Sequence, residues 1–155
     1  VGFGVVDYID GKFSVKDFGA ITTDKDTPFP KRLCEIYEDY CQILDSWKPD
    51  ALSIERLYFT NNQKTGIDVA QARGIIIMAA AQRGIEINEY TPLQVKQAVV
   101  GYGQAVKKQV QEMTKNILKL SCVPKPDDTA DALAMTICHA QTSGSLLRNI
   151  KASNI

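Results

Sequence analysis

The sequence predicts an α/β domain in which a mixed β-sheet is flanked by helices. Its first residues have the pattern of a β-hairpin, and two short apolar runs then alternate with longer helical segments. Hairpin strands pair antiparallel, whereas strands joined through a helix pair parallel, so this order predicts both kinds of pairing in one sheet. A chain of 155 residues with 45% hydrophobic side chains is large enough to bury the core of one such domain.

The first third of the chain predicts a hairpin followed by a helix. Two apolar runs surround Asp10-Gly11, a dipeptide that favours tight hairpin turns. From Pro28 onward, apolar residues recur at three- and four-residue steps, which is the spacing of an amphipathic helix. Pro49 cannot continue such a helix and is expected to end it.

Short strands and helices alternate in the rest of the chain. The runs ALSIE, which ends at Glu55, and IEINEY predict two strands of the parallel part of the sheet. Residues 64–82 predict a helix that is apolar on nearly all sides and should therefore be packed on more than one of them. Three further helices are expected, at residues 92–100, 105–119 and 127–142.

The composition argues against several classes of protein. No run of 18 apolar residues is present, so no membrane span is expected, and the first residues lack the features of a secretory signal. Four cysteines and one histidine form no zinc motif, and we expect reduced thiols in a cytoplasmic protein. The sequence also lacks the Walker motif and the Gly-x-Ser-x-Gly elbow, which argues against a nucleotide triphosphate site and against triad hydrolysis.

Three aspartates, Asp127, Asp128 and Asp131, precede an apolar helical segment. One interpretation is structural: Asp127 or Asp128 caps the helix, and the helix dipole favours Asp131 in the first turn. The other interpretation is a metal site, because Asp128 and Asp131 are three residues apart and share one helix face. His139 is not expected to join that site, since it lies roughly 16 Å further along the helix. We expect a partly buried, hydrogen-bonded imidazole there.

Glu55 is a further candidate because it ends a predicted parallel strand, and ligand sites of open α/β sheets gather at that end. The alternative is a charge that leaves the sheet for solvent. Tyr58 and Phe59 follow in a polar loop. Exposed aromatics beside carboxylates can stack on unpaired bases, although we expect at least one of these two to pack inward.

The net charge of zero hides a basic segment. Residues 91–126 carry six lysines against one acid, Glu112. The six are Lys96, Lys107, Lys108, Lys115, Lys119 and Lys125. Such a segment is either a solvated helix face or, beside clustered carboxylates, a surface for a phosphate substrate with metal ions.

Three stretches resemble the RuvC family of Holliday-junction resolvases: SIERLYFTNNQKTGIDVAQARG, PLQVKQAVVGYGQAVKKQVQEM and DDTADALAMTICH. The resemblance runs in unbroken order from Val1 to about His139. It implies a ribonuclease-H-like fold, to which we assign residues 1–145. The last residues of the sequence, 146–155, are expected to form a flexible tail. The resemblance also implies a bacterial homodimer that cuts two symmetric strands of a four-way DNA junction in recombination and repair, with a branch-migration helicase complex as a further partner.

The resemblance assigns the acidic residues to catalysis. Glu55, Asp128 and Asp131 match three of the four acids of the family. The resemblance implies that these acids bind two Mg²⁺ ions per active site, with Mn²⁺ able to substitute. Lys107 is expected to offset charge that develops on the phosphate in the transition state.

The resemblance also suggests which residues touch DNA. Lys96 and Lys107 match lysines of the family near the DNA backbone, and we add Lys108 to them. Tyr58 matches an aromatic near the junction crossover, with Phe59 as its neighbour.

The sequence departs from the family at its front. The family opens with a strand of the type xILGIDPG that carries its fourth catalytic acid, and we expect this strand, within about ten residues before Val1, to lie between the hairpin and ALSIE. The 155-residue chain alone is then expected to be inactive with Mg²⁺ and less stable. The alternative to a junction endonuclease is a catalytically inactive module of the same fold that binds branched nucleic acid or a partner protein.

Overall fold

The computed structural model describes residues 1–58 and 63–153, with side chains except at 63–64 and 144–153. Four strands and five helices form within these ranges. They are β1 (Gly2–Ile9), β2 (Lys12–Ala20), α1 (Phe29–Trp47), β3 (Ala51–Glu55), α2 (Gln63–Gln82), β4 (Glu86–Tyr90), α3 (Pro92–Val100), α4 (Lys107–Ile117) and α5 (Asp127–Ser153).

The first two strands form the predicted hairpin. β1 pairs antiparallel with β2, and Ile9 lies opposite Lys12 across a two-residue turn. Both turn residues have positive φ angles, 52° at Asp10 and 76° at Gly11. A turn of this kind suits the right-handed twist of the strands, and Asp-Gly adopts it readily. The hairpin expected from the sequence is therefore confirmed.

The other two strands pair in parallel through α2. Glu55, the last residue of β3, lies opposite Tyr90 of β4. Within the described residues, no backbone ladder joins β1 to β3, so the strands form two separate pairs. The α/β class and both kinds of pairing agree with the prediction. The prediction of one mixed sheet differs from the two strand pairs observed. In the predicted sheet, a further strand lies between these pairs and is hydrogen-bonded to both.

Two hydrophobic cores lie on opposite sides of the strands. One lies beneath α1 and α2 and contains Ile36, Tyr40 and Ile76, with Leu52 and Ile54 of β3 packed against it. The other lies among α3, α4 and α5. Leu133 and Ile137 of α5 are completely buried there. The strands are thus the middle layer between two layers of helices.

Helix α5 lies against all four strands and comes unusually close to β1. A Cβ atom at Gly4 would lie 2.6 Å from Cδ2 of Leu133, and one at Gly2 would overlap the backbone carbonyl of Asp128. Two glycines on one strand therefore create the space for the beginning of this helix. The hydroxyl of Thr129, which is fully buried, donates to the carbonyl of Gly19 in β2 at 3.0 Å and fixes the helix to the hairpin.

Helix α5 also extends beyond its predicted end. We expected it to span residues 127–142, but it continues to Ser153. The backbone over 146–153 is therefore helical where we expected a tail, while the flexibility of that segment stays a prediction. No helix in the described part of the chain combines the length and the apolar character that a membrane crossing needs.

Candidate active site

The position of Glu55 follows from the alternation of side chains along β3. Leu52 and Ile54 pack against the core beneath α1 and α2. Successive side chains of a strand point to opposite faces, so Glu55 points to the side on which α5 lies. The start of α5 carries Asp131, which therefore approaches the end of β3 from the other side.

The carboxyl groups of Glu55 and Asp131 influence each other. Glu55 is accessible to solvent, yet the surrounding protein removes part of its hydration and raises its pKa. The negative charge of Asp131 raises the Glu55 pKa further, whereas Lys107 lowers it. Partial burial likewise raises the pKa of Asp131, where Lys107 opposes the effect and Asp128 adds to it. A strand end and a helix start thus form one region of excess negative charge.

Lys107 is the cation of this region. It is the first residue of α4, and its Nζ lies 3.6 Å from Oδ2 of Asp131 and 3.3 Å from Oδ2 of Asp127. The charge of Asp131 is the largest cause of the raised Lys107 pKa. Because 57% of this side chain is exposed, its ion pairs add little to stability. Their main effect is to place a positive charge beside the acids.

Asp127 has a different environment from the other aspartates. A hydrogen bond from Lys107, and after it one from Lys125, keeps the pKa of Asp127 below its usual range. Gln111 Nε2 also donates to its Oδ1 at 3.3 Å. Asp127 is in the first turn of α5, where the helix dipole favours a negative charge. The structural interpretation thus suits Asp127, whereas Asp131 lies towards Glu55.

The described residues contain no ready-made metal cluster of three histidine, cysteine, aspartate or glutamate side chains. The proposed set of Glu55, Asp128 and Asp131 therefore stays a prediction. Its chemistry fits a hard divalent cation, because carboxylate oxygens are the ligands that Mg²⁺ prefers. The raised pKa values of Glu55 and Asp131 also fit, since a bound cation would relieve the repulsion between these charges.

An open groove of about 500 Å³ lies beside the acids. Its walls include Lys107 and Lys108 of α4, together with Lys125 in the segment before α5. Glu112 and Asp127 also line it, so the groove is basic without being uniformly so. Lys125 had been counted in the basic segment but not singled out. Its bond to Asp127, 3.3 Å from Nζ to Oδ1, places it at this site.

The remaining predicted DNA contacts either do not line this groove or lie outside the described residues. Tyr58 is 59% exposed in the loop that follows Glu55, which leaves its ring free to contact a ligand. Phe59 lies outside the described residues. Lys96 is partly buried on α3, and no salt bridge within the described residues involves it.

The expected role of His139 is confirmed. Its Nδ1 shares a hydrogen bond with the hydroxyl of Tyr90 at 2.7 Å. Partial burial lowers the pKa of the imidazole, and the negative charge of Glu86 opposes that effect. His139 therefore connects α5 to the end of β4 and is not part of the acidic region.

The family model for crossover junction endodeoxyribonuclease RuvC matches residues 1–139 of the chain. The chain belongs to the RuvC family. RuvC of Ruminiclostridium cellulolyticum is 53% identical over 150 residues, which cover 96% of this chain and 90% of that relative. RuvC of Fusobacterium nucleatum is 46% identical over 155 residues, which cover all of this chain and 82% of that relative.

Solved structures of the family have the same fold. Thermus thermophilus RuvC in complex with a Holliday junction substrate is 32% identical and superposes with a TM-score of 0.84, covering 90% of this chain and 85% of that one. A second structure of Thermus thermophilus RuvC is 31% identical, with a TM-score of 0.79, covering 90% of this chain and 84% of that one. The predicted ribonuclease-H-like fold is confirmed by these similarities.

Two residues of the site were not found from the sequence. Thr129 holds the start of α5, and Arg73 of α2 donates from Nε to the backbone carbonyl of Glu55 at 3.1 Å. Both donate to a backbone carbonyl. Every residue has such a carbonyl, so the amino-acid type of the acceptor residue could not reveal the hydrogen bond. The only indication for Arg73 was a charge just before the apolar run GIIIMAAA.

Proposed function

We propose that the chain is a structure-specific DNA endonuclease that resolves four-way junctions by symmetric phosphodiester hydrolysis in recombination and repair. One observation carries the proposal: Glu55 at the end of β3 and Asp131 at the start of α5 share an acidic region that Lys107 borders. The names of the relatives support it, as does the Holliday junction substrate in the complex of Thermus thermophilus RuvC.

In this proposal the acids hold the metal. Glu55, Asp128 and Asp131 are the ligands of Mg²⁺, with Mn²⁺ as a substitute and two ions in each active site. Bound Mg²⁺ supplies an activated water and stabilises the leaving 3′-oxygen. Repulsion among the carboxylates favours cation binding, because the charge of Asp131 raises the pKa of Glu55 and the charge of Asp128 raises the pKa of Asp131.

The basic and aromatic residues hold DNA. Lys107 offsets negative charge that develops on the phosphate, since its Nζ already lies within 3.6 Å of Asp131. Lys108 lines the same groove. In this proposal Lys108 and Lys96, which is on α3, bind the sugar-phosphate backbone. Tyr58 and Phe59 stack on bases near the crossover.

The active form in this proposal is a homodimer, because two symmetric incisions need two sites related by a two-fold axis. Helix α2 supports the proposal through three exposed apolar side chains. Ile67 is 59% exposed, Val69 47% and Met78 43%. The dimer works in the cytoplasm of a bacterium, with a branch-migration helicase complex as a further partner.

The test is cleavage of a synthetic four-way junction with and without Mg²⁺, using a linear duplex of the same sequence as control. The 155-residue chain is compared with a form extended by a strand that carries the expected fourth aspartate. The form that cuts is the parent enzyme for the variants below. Paired, symmetric, Mg²⁺-dependent incisions in the junction are expected. Junction binding without incision in both forms would indicate the inactive module, and neither binding nor incision would overturn both hypotheses.

A further inference from the structure

Arg73 is a largely buried charge on α2. Only 18% of its side chain is exposed. Its Nε donates to the backbone carbonyl of Glu55 at 3.1 Å, and Nη2 lies 3.2 Å from Oε1 of Glu89. One guanidinium group therefore contacts the last residue of β3 and a side chain of β4.

Glu89 connects a second arginine to this cluster. Its Oε2 lies 3.5 Å from Nε of Arg56, the residue after Glu55, and the Arg56 amide donates to Tyr90 O at 2.9 Å. The hydrogen bond from Arg73 is the largest cause of the lowered Glu89 pKa. The parallel ladder thus continues one residue past Glu55, and Arg73 and Glu89 hold that end of it.

The geometry of Arg73 suits the end of a strand. The planar guanidinium offers several donors in a fixed arrangement, so it can bind a carbonyl and a carboxylate at once. The peptide orientation at Glu55 determines where its carboxyl group points, and a strand end is otherwise free to fray. A lysine ammonium could hold either acceptor but does not impose the same planar geometry.

We propose that Arg73, through the carbonyl of Glu55 and the carboxylate of Glu89, is a positioning residue that fixes Glu55 for cation binding. This inference rests on the proposed function in taking Glu55 as a metal ligand. Arg73 binds the main chain of Glu55 and needs no contact with metal or DNA. Its loss should therefore weaken binding of the divalent cation and leave junction binding unchanged.

The chain offers a closely matched control in Arg83. Arg83 also binds one backbone carbonyl, that of Ala79 at 3.0 Å, and one carboxylate, that of Asp45. Its side chain is 26% exposed, which is close to the value for Arg73. Arg73→Gln and Arg83→Gln therefore remove equivalent interactions, but only the first touches Glu55.

The experiment measures Mn²⁺ binding to the DNA-free protein by electron paramagnetic resonance, followed by the Mg²⁺ dependence of junction cleavage. We expect Arg73→Gln to weaken Mn²⁺ binding and raise the half-saturating Mg²⁺ concentration by about tenfold, the scale seen for residues that orient metal ligands. Arg83→Gln should change neither, and Arg73→Lys should recover part of the loss. Binding of the junction without metal should be equal in all variants.

Several results would overturn the inference. One is an Mn²⁺ isotherm of Arg73→Gln that matches the isotherm of Arg83→Gln. Another is cleavage by Arg73→Gln that is slow and that excess Mg²⁺ does not restore. If Arg73→Gln does not fold, Glu89→Gln replaces it, because this variant removes the carboxylate that holds Arg73. A parental Mn²⁺ isotherm for Glu89→Gln would then overturn the inference. Glu55→Gln separates this inference from the proposed function: full cleavage by Glu55→Gln would refute the metal site itself. If Glu55→Gln loses cleavage and Arg73→Gln binds Mn²⁺ as the parent does, only the positioning role of Arg73 is refuted.

Discussion

The carboxyl group of Glu55 is placed where its ionised form is unfavourable. Partial burial and the nearby charge of Asp131 both raise its pKa, and Lys107 compensates only in part. A side chain chosen for stability alone would be neutral here. If Glu55 is a metal ligand as proposed, the cation-free protein is less stable because it keeps this unfavourable charge.

Glu55→Gln should abolish cleavage and slightly stabilise the metal-free protein at neutral pH. A raised pKa in the folded state means that stability is lost as the pH rises through that pKa, and glutamine avoids the loss. Solvent screening limits the gain to under about 1 kcal/mol, or roughly 2–4 °C in melting temperature. Melting curves at several pH values, with Glu38→Gln on the exposed side of α1 as control, check the effect.

The gain in stability from Glu55→Gln should disappear at acidic pH, because the Glu55 carboxyl group of the parent is then protonated and neutral, like glutamine. Added Mg²⁺ should stabilise the parent and not the variant. A variant that cuts the junction at the parental rate, or that binds Mg²⁺ as the parent does, would refute the assignment of Glu55 to the metal.

Lys107→Ala should slow cleavage and reduce the salt dependence of junction binding by about one counterion. Lys115→Ala is the control, because Lys115 lies on the same helix roughly 12 Å away and pairs with Glu112 instead. Cleavage rates and binding at several salt concentrations provide the measurement. Equal effects of both substitutions would mean that α4 acts as a diffuse basic surface.

The sequence predicted a site residue best where both interacting groups are side chains, because their chemical types can be read from the sequence. The approach of Glu55 to Asp131 follows from a strand end and a helix start, and both positions were predicted. Arg73 could not be found in the same way, because its partner near the site is a main-chain oxygen. The catalytic roles of the acids and lysines stay predictions until the substitutions are measured.

At the scale of elements, the start of α5 depends on its attachment to the hairpin. Thr129→Val should destabilise the protein by about 1–3 kcal/mol, because the partly buried carbonyl of Gly19 loses a donor. Thr136→Val is the control, since the Thr136 hydroxyl bonds only to Leu133 within the same helix. Chemical denaturation of both variants measures the difference, and equal free energies of unfolding would contradict the proposed attachment.

Helix α2 should form the dimer interface. Ile67→Glu places a charge among its exposed apolar side chains and should shift the protein to monomer, with loss of paired incisions. Ile9→Glu on the hairpin is the control, because Ile9 is 65% exposed and equally apolar. Sedimentation at micromolar concentration distinguishes the outcomes. A parent that is already monomeric there would count against the interface.

The existence of each element was predicted better than its limits. The hairpin turn and the helix at Pro92–Val100 agree with the prediction, since turn residues and a capping box mark them locally. The extension of α5 to Ser153 was not predicted, because the poor helix formers at 142–145, Thr-Ser-Gly-Ser, interrupt the pattern there. Packing against all four strands depends on small residues such as Gly2 and Gly4, whose significance appears only in three dimensions.

At the scale of the whole molecule, no ladder joins β1 to β3 within the described residues. A form extended by a strand between β1 and β3 should melt at a higher temperature than the 155-residue chain, because a strand there would complete hydrogen bonds along both neighbours. The same form should cut junctions with Mg²⁺, since it adds the expected fourth acid. Side-by-side melting and cleavage provide the test, and equal melting temperatures with equal activity would contradict this placement of the strand.

The fold class was predictable because the alternation of strands and helices is recorded along the sequence. That no ladder joins β1 to β3 within the described residues was expected only through the strand that the family resemblance places between them. A sequence pattern gives the period of each strand but not the neighbour with which it pairs.

The hydrogen bond between Thr129 and Gly19 joins residues that are 110 positions apart. A ribosome that adds residues at ordinary speed takes roughly 5–20 s to make that much chain. During this time the finished hairpin has no α5 to pack against, and Glu55 has no Asp131 opposite it. The acidic region is therefore completed only after α5 has been made. We expect a nascent chain that has not yet released α5 to leave DNA uncut, because it lacks the proposed ligands Asp128 and Asp131.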